Sequence, residues 1–418
     1  MDAGRLGVHA DSGEHQGGGT ELGVTNAVAL VAALVPANAG RTIKVRPGTY
    51  RVGVPLLVPD GASLEGAGEM LHDADGLPTG FKAGTETVII ADSTLRGDLV
   101  TLGDRSSIKG LRLEQRAVGE EGIPDGNVVA VTSRRPSDSV AAAIDECELI
   151  NPNRAGAGAE GPVGGALLVC TRNPGGGAAP PPHEGAVVAL KMTHSRASAP
   201  IGQAVFAMNF AARGKVDLEL VENVLGGPLD AIGGLSRPDA VHNATTAISS
   251  RENLYTQQPG SDGPAWQIIG GSPPPFPGEG ASSNAATADS SNDRIEHFQF
   301  GIIAIGGRRF STAGGTCSDN EVTLKLVQLR LQTEGPEAGD FLFAGALSGG
   351  LFTAGDENTL RVSVERTTGS GPRKNIYVDS AGFGTDNQLL FDGAHAAFIH
   401  TNHMIDPAPP AEFFEHGT

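Results

Sequence analysis

Three near-copies of one strand-and-turn constrain this chain more than any other feature. "AIGG" stands at 231–234, "IIGG" at 268–271 and "AIGG" again at 304–307, intervals of 37 and 36 residues. A second series repeats beside it. "SND" (291–293), "SDNEV" (318–322), "DENTL" (356–360) and "TDNQL" (385–389) each place Asn at a turn just before a strand. Those residues are Asn292, Asn320, Asn358 and Asn387, at intervals of 28, 38 and 29. Recurrence at this scale means stacked copies of one unit. The uneven intervals exclude the regular blades of a propeller. They predict a β-solenoid whose strands stack in register while one loop per coil varies in length. Asn in stacked turns can form hydrogen-bonded ladders, as in other stacked β structures.

The rest of the chain fits that architecture. Residues 26–35, "NAVALVAALV", form one short helix with Thr25 as its expected N-cap. From there, strands of three to five residues alternate with Pro-Gly and Asp-Gly turns, as in "TIKVRPGTYRV" and "VPLLVPDGASLEG". No second long helical pattern separates them, so α/β crossovers are not expected. The expected organisation is an N-terminal extension (1–25), a capping helix (26–40), a solenoid over 41–400 and a tail over 401–418. Pro/Gly-rich insertions fall around 172–185 and 272–291.

Aligning the three copies gives columns. Leu229, Trp266 and Ile302 share one that should point inward, with Ala231, Ile268 and Ala304 next on the same face. Trp266 is therefore read as core. Asp230, Gln267 and Ile303 alternate to the outside, and the paired glycines are read as ending each strand in a sharp turn. The segments that follow, 235–246, 272–291 and 308–319, would leave one edge and stack ~4.8 Å apart as a wall. The candidate catalytic groups there are Asp230, Asp239, His242, Asp293 and Glu296. Carboxylates within one or two coils of each other can serve as acid and base in glycoside cleavage. Arg237, Gln267, Arg294, His297, Arg308 and Arg309 are the candidate substrate-binding groups, since arginines hold carboxylates or polarise oxygens. The bland alternative is a solvated β-face at "NDRIEHF" and a turn-shaping Asp239.

A net charge of −18 argues against nucleic acid as a partner and disfavours strongly anionic substrates. No apolar run approaches membrane-spanning length. Cys147, Cys170 and Cys317 are too few for a disulfide scaffold and read as buried thiols. With no calcium-type loop and no His/Cys ligand spacing, no metal and no cofactor is expected. The first residues lack a signal-peptide pattern, so the expectation is a cytoplasmic protein or the mature form of a secreted one.

The opening, a short helix followed by "RTIKVRPGTYRV" and "LLVPDGASLEGAG", resembles the entry of right-handed parallel β-helix proteins of the pectin-lyase-like superfamily. The resemblance is specific over about 26–68 and implies an all-β, single-stranded right-handed parallel β-helix with a short N-terminal capping helix. It also implies a carbohydrate-active enzyme that cleaves or rearranges a glycan. The paired aspartates of polygalacturonases and the calcium cluster of pectate lyases are both absent. With aromatics at only 5% and so acidic a surface, a neutral or weakly charged glycan ranks above polyuronates. Two other classes stay open. One is a non-catalytic surface or assembly protein, with an outer face carrying Ile303 available for homo-oligomers. The other is a small-metabolite isomerase or cyclase.

Overall fold

The computed structural model describes residues 21–118, 126–158, 161–171, 183–236, 240–257, 264–272, 280–298, 300–309, 316–333, 342–345, 353–354, 357–370, 376–379, 388–392 and 399–400. Its strands form three long sheets, parallel throughout their ladders. The chain visits them in turn. Ser139–Asp145 lies in the first sheet, Glu148–Ile150 in the second and Leu167–Thr171 in the third; Val187–Thr193 then returns to the first. Each return lands beside the previous strand, and such parallel crossovers are right-handed because of strand twist. The molecule is a right-handed parallel β-helix. Coil length varies as expected: Val187 pairs with Lys215, whereas Thr245 pairs with Ala285.

Local sequence explains the coils. In Lys215–Val221, "KVDLELV", Val216, Leu218 and Leu220 point inward while Lys215, Asp217 and Glu219 point out. Like stacks on like inside, with Leu190, Leu218 and Ile248 in one register column. Trp266 is fully buried and meets Tyr255 edge-on at 5.1 Å, so it is a core residue. At the N-terminal end, the helix Ala27–Ala33 buries Leu30 against the first coil. Its cap is Asn26, whose Oδ1 accepts from the Ala29 N–H at 2.8 Å, rather than Thr25. Glu21–Val24, within the stretch expected as an extension, pairs with Thr42–Val45 and supplies the first rung.

The corners between the first and second sheets repeat a two-residue device. Glu146, His194, Glu222, Glu252 and Asn292 all have φ between 47° and 58°, the left-handed region that costs an ordinary residue energy. The residue after each turns inward, and hydrogen bonds there offset the strain. Ser195 N donates to Asn223 Oδ1 at 2.9 Å, Asn223 N to Asn253 Oδ1 at 2.8 Å, and Asn253 N to Asp293 Oδ1 at 2.8 Å.

A second ladder, Asn284–Asn320–Asn358, runs along the corner between the third and first sheets. Asn292, grouped with this series by spacing, belongs to the other corner; Asn387 lies outside the described residues. The paired glycines turn out to be strand residues, not turns: Gly270 and Gly271 lie inside Pro264–Ser272. A Cβ on Gly234 would stand 2.4 Å from Asn284, one on Gly271 2.3 Å from Asn320, and one on Gly307 2.5 Å from Asn358. The two repeats are therefore one feature: each "GG" makes room for the ladder asparagine of the next coil. Gly271→Ala should cost ~1–3 kcal/mol through overpacking. An unchanged urea midpoint would contradict this role.

Candidate functional site

The structure spreads the sequence-derived site residues over several faces. Asp230 and Gln267 do come together. They are register partners on the outer face of the third sheet, both half-buried. Phe206 and Ile303 flank them in the same column, and Ile232 and Ile269 lie one position along. All four flanking side chains are buried within this chain, and Phe206, Ile232 and Ile269 belong to an apolar covering outside the third sheet; Ile303 is therefore not a free outer residue. Arg294 and Glu296 project instead from the second sheet, half-buried. His297 follows at a β-bulge with φ of 67°, also half-buried. His242 is exposed in Val241–His242, a strand of a small side sheet. Arg308 and Arg309 pair by backbone with Ala354 and Thr353, and their side chains lie outside the described residues. Arg237 and Asp239 lie outside them as well.

Asp293 departs most from an outward carboxylate. It is fully buried at the corner ladder, where its Oδ1 accepts from Asn253 N and Nδ2 and its Oδ2 from Ser290 Oγ at 2.6 Å. The next residue in the column is Leu329, so the ladder of polar side chains ends there. Burial pushes the Asp293 carboxyl up to about 6, against the opposing hydrogen bonds from Ser290 and Asn253. The cysteines are buried and unbridged, and burial pushes the Cys147 thiol up to about 12, far from a nucleophile's range.

A concave surface lies elsewhere, on the outer face of the first sheet. It is a groove of about 430 Å³ crossing five successive strands. Ala141, Ala189 and Ala247 lie along its floor. Asp217 and Glu219 project into it from one strand, two residues apart and therefore ~6.6 Å along the chain. Glu219, Ser249 and Asp289 occupy one outward column. Glu219 and Asp289 thus stand two strand spacings apart, ~9.6 Å at the backbone. Thr287 lies on the neighbouring column. Lys191 Nζ bonds Glu219 at 2.7 Å and Lys215 Nζ bonds Asp217 at 2.9 Å; Asp289 makes no ion pair among the described residues.

Sequence reasoning did not single out these carboxylates. "ATADSS" falls within the insertion expected around 272–291, whereas Ala285–Ser291 is a full strand of the first sheet. The missed signal was its alternation of small inward residues, Ala286, Ala288 and Ser290, with outward Thr287 and Asp289.

No protein-family model matches the chain, and no curated protein matches it. Among solved structures it is similar to an alginate lyase from Paenibacillus sp. str. FPU-7, at 10% identity over 87% of this chain and 99% of that one, with a TM-score of 0.42. It is similar to the A-module of a mannuronan C-5 epimerase from Azotobacter vinelandii, at 13% identity over 94% and 99%, with a TM-score of 0.40. It is also similar to the Dettilon tailspike protein, at 11% identity over 87% of this chain but only 64% of the tailspike, with a TM-score of 0.43. The fold assignment rests on the strand pairing described above.

Proposed function

We propose that this β-helix is a carbohydrate-active enzyme that acts on a neutral glycan lying in the first-sheet groove. The observation that carries the reading is the stacking of Asp217, Glu219 and Asp289 with Ser249 and Thr287 over a floor of small side chains. Carboxylates and hydroxyls are the hydrogen-bonding groups that a polyhydroxyl chain requires. The chain's net charge of −18 disfavours a uronate polymer.

The spacing supports cleavage by acid and base. Backbone positions ~9.6 Å apart let the Glu219 and Asp289 carboxyl groups stand ~6.5–9.5 Å apart, the range that leaves room for a water in inverting hydrolysis. In this reading Asp289, without an ion pair among the described residues, meets the glycosidic oxygen, and Glu219, steadied by Lys191, activates the water. Asp217 orients a sugar hydroxyl. Incubation with a panel of neutral polysaccharides should release new reducing ends of inverted configuration. Release from acidic polysaccharides alone would overturn the substrate class, and release from none would remove the enzyme reading.

A further inference from the structure

The second sheet carries an arginine pair that the groove does not use. Arg294 and Arg330 are register partners in one outward column, one strand spacing apart. Like charges placed directly opposite destabilise a sheet unless an anion lies between or beside them. Elsewhere in that column the signs alternate: Glu148 stands between Arg112 and Arg196, within 3.7 and 3.9 Å. Arg294 finds its carboxylate differently. The Asp75 side chain, 219 residues away, reaches it at 3.0 Å from a hairpin inserted after the third strand of the first sheet.

That hairpin presents Asp75 deliberately positioned. Asp73 Oδ1 accepts from Asp75 N and Leu77 N, both at 2.9 Å, which fixes the turn. Leu77 is buried beneath it, Arg196 donates to the Thr79 carbonyl, and His72 packs edge-on to His194 at 5.8 Å. The turn is held without the Asp75 carboxylate, which is itself largely exposed. An ion pair whose carboxylate is this exposed contributes little to stability. Arg330, beside it, is exposed and makes no ion pair among the described residues. Half-buried Glu296 sits on the adjacent outward column and keeps the patch from being broadly basic.

We propose that Arg294 and Arg330 form a binding site for a ligand carboxylate, and that Asp75 is a built-in competitor occupying half of it. A planar carboxylate matches a guanidinium through paired hydrogen bonds, and two stacked guanidinium groups can share one. The site is separate from the first-sheet groove and does not depend on its activity.

Titration calorimetry on the full chain tests this with trigalacturonate and citrate as carboxylate probes and maltotriose as the neutral one. Asp75→Asn should bind a carboxylate probe about tenfold more tightly than the wild type, the usual scale for a charge-assisted hydrogen bond. Adding Arg330→Ala to it should abolish the gain. A gain with both probes marks any small carboxylate as the ligand, and a gain with trigalacturonate alone marks an acidic sugar. Equal affinity of Asp75→Asn and wild type, binding by neither, or a gain that survives Arg330→Ala would overturn the proposal. Asp75–Arg294 would then be a structural clamp only, visible as a lower melting temperature of Asp75→Asn.

Discussion

Glu219→Gln and Asp289→Asn should each lower turnover of a neutral glycan by about 10²–10⁴-fold, the scale of general acid–base catalysis. Both side chains leave the first sheet outward, so neither substitution removes core packing. Melting temperatures should move by no more than a few degrees, since Glu219 loses only an exposed pair with Lys191. The amide keeps the volume and some of the hydrogen bonding but cannot exchange the proton. The two variants should fail differently. Azide, a small nucleophile that needs no general base, should restore turnover to Glu219→Gln; good leaving groups should restore it to Asp289→Asn. Asp230→Asn serves as a control on the third sheet, and its turnover should stay near wild type. Full activity in both groove variants together with loss in Asp230→Asn would move the chemistry to the third-sheet face.

A second large effect is expected at Asp293, on stability rather than activity. Its carboxyl titrates at about 6 in the folded protein, against an ordinary value near ~3.9. Between those values the folded state holds more protons than the unfolded one, so stability falls as pH rises. The contribution is fully present below pH ~4 and lost by about pH 6. A shift of about two units corresponds to ~3 kcal/mol. Asp293→Asn removes the titration. Its amide can also donate to the Ser250 carbonyl, as Asn253 Nδ2 donates to Leu220 O and Asn223 Nδ2 to Met192 O one and two coils before. The melting temperature of Asp293→Asn minus that of wild type should therefore grow as pH rises from 4 to 6 and then level off. Parallel pH profiles would show that Asp293 does not titrate as described. Asp293→Ala should be less stable than Asp293→Asn at every pH by ~2–4 kcal/mol, because it leaves the Asn253 N and Nδ2 donors without their acceptor.

The coil architecture was legible because its cause is local and repeated. Alternation in "WQIIGG" and its copies assigns Trp266 to the core and Gln267 to the surface, and the register of Leu229, Trp266 and Ile302 agrees. What the sequence concealed depends on contacts between coils. Gly271 reads as a turn residue until Asn320, one coil along, is seen filling the space a Cβ would take. Asp293 reads as outward until the left-handed Asn292 before it is seen to redirect the chain. The groove was hidden for the same reason. Ala141, Ala189 and Ala247 are unremarkable singly, and their concavity appears only when separate coils align them in one column, with Asp217 between Ala189 and Ala247. Asp217, Glu219 and Asp289 each look like an ordinary solvated position of an alternating strand.

The groove itself can be tested without touching any carboxylate. Ala189 and Ala247 are half-buried floor residues on strands, where a β-branched side chain is readily accommodated. The paired substitution Ala189→Ile and Ala247→Ile would fill the floor and leave Asp217, Glu219 and Asp289 in place. Calorimetric titration with the neutral oligosaccharide released by the enzyme measures the consequence directly. If the glycan lies in this groove, the filled variant melts like the wild type and no longer binds. Binding of undiminished affinity by the filled variant would contradict the central claim and place the glycan on another face of the helix.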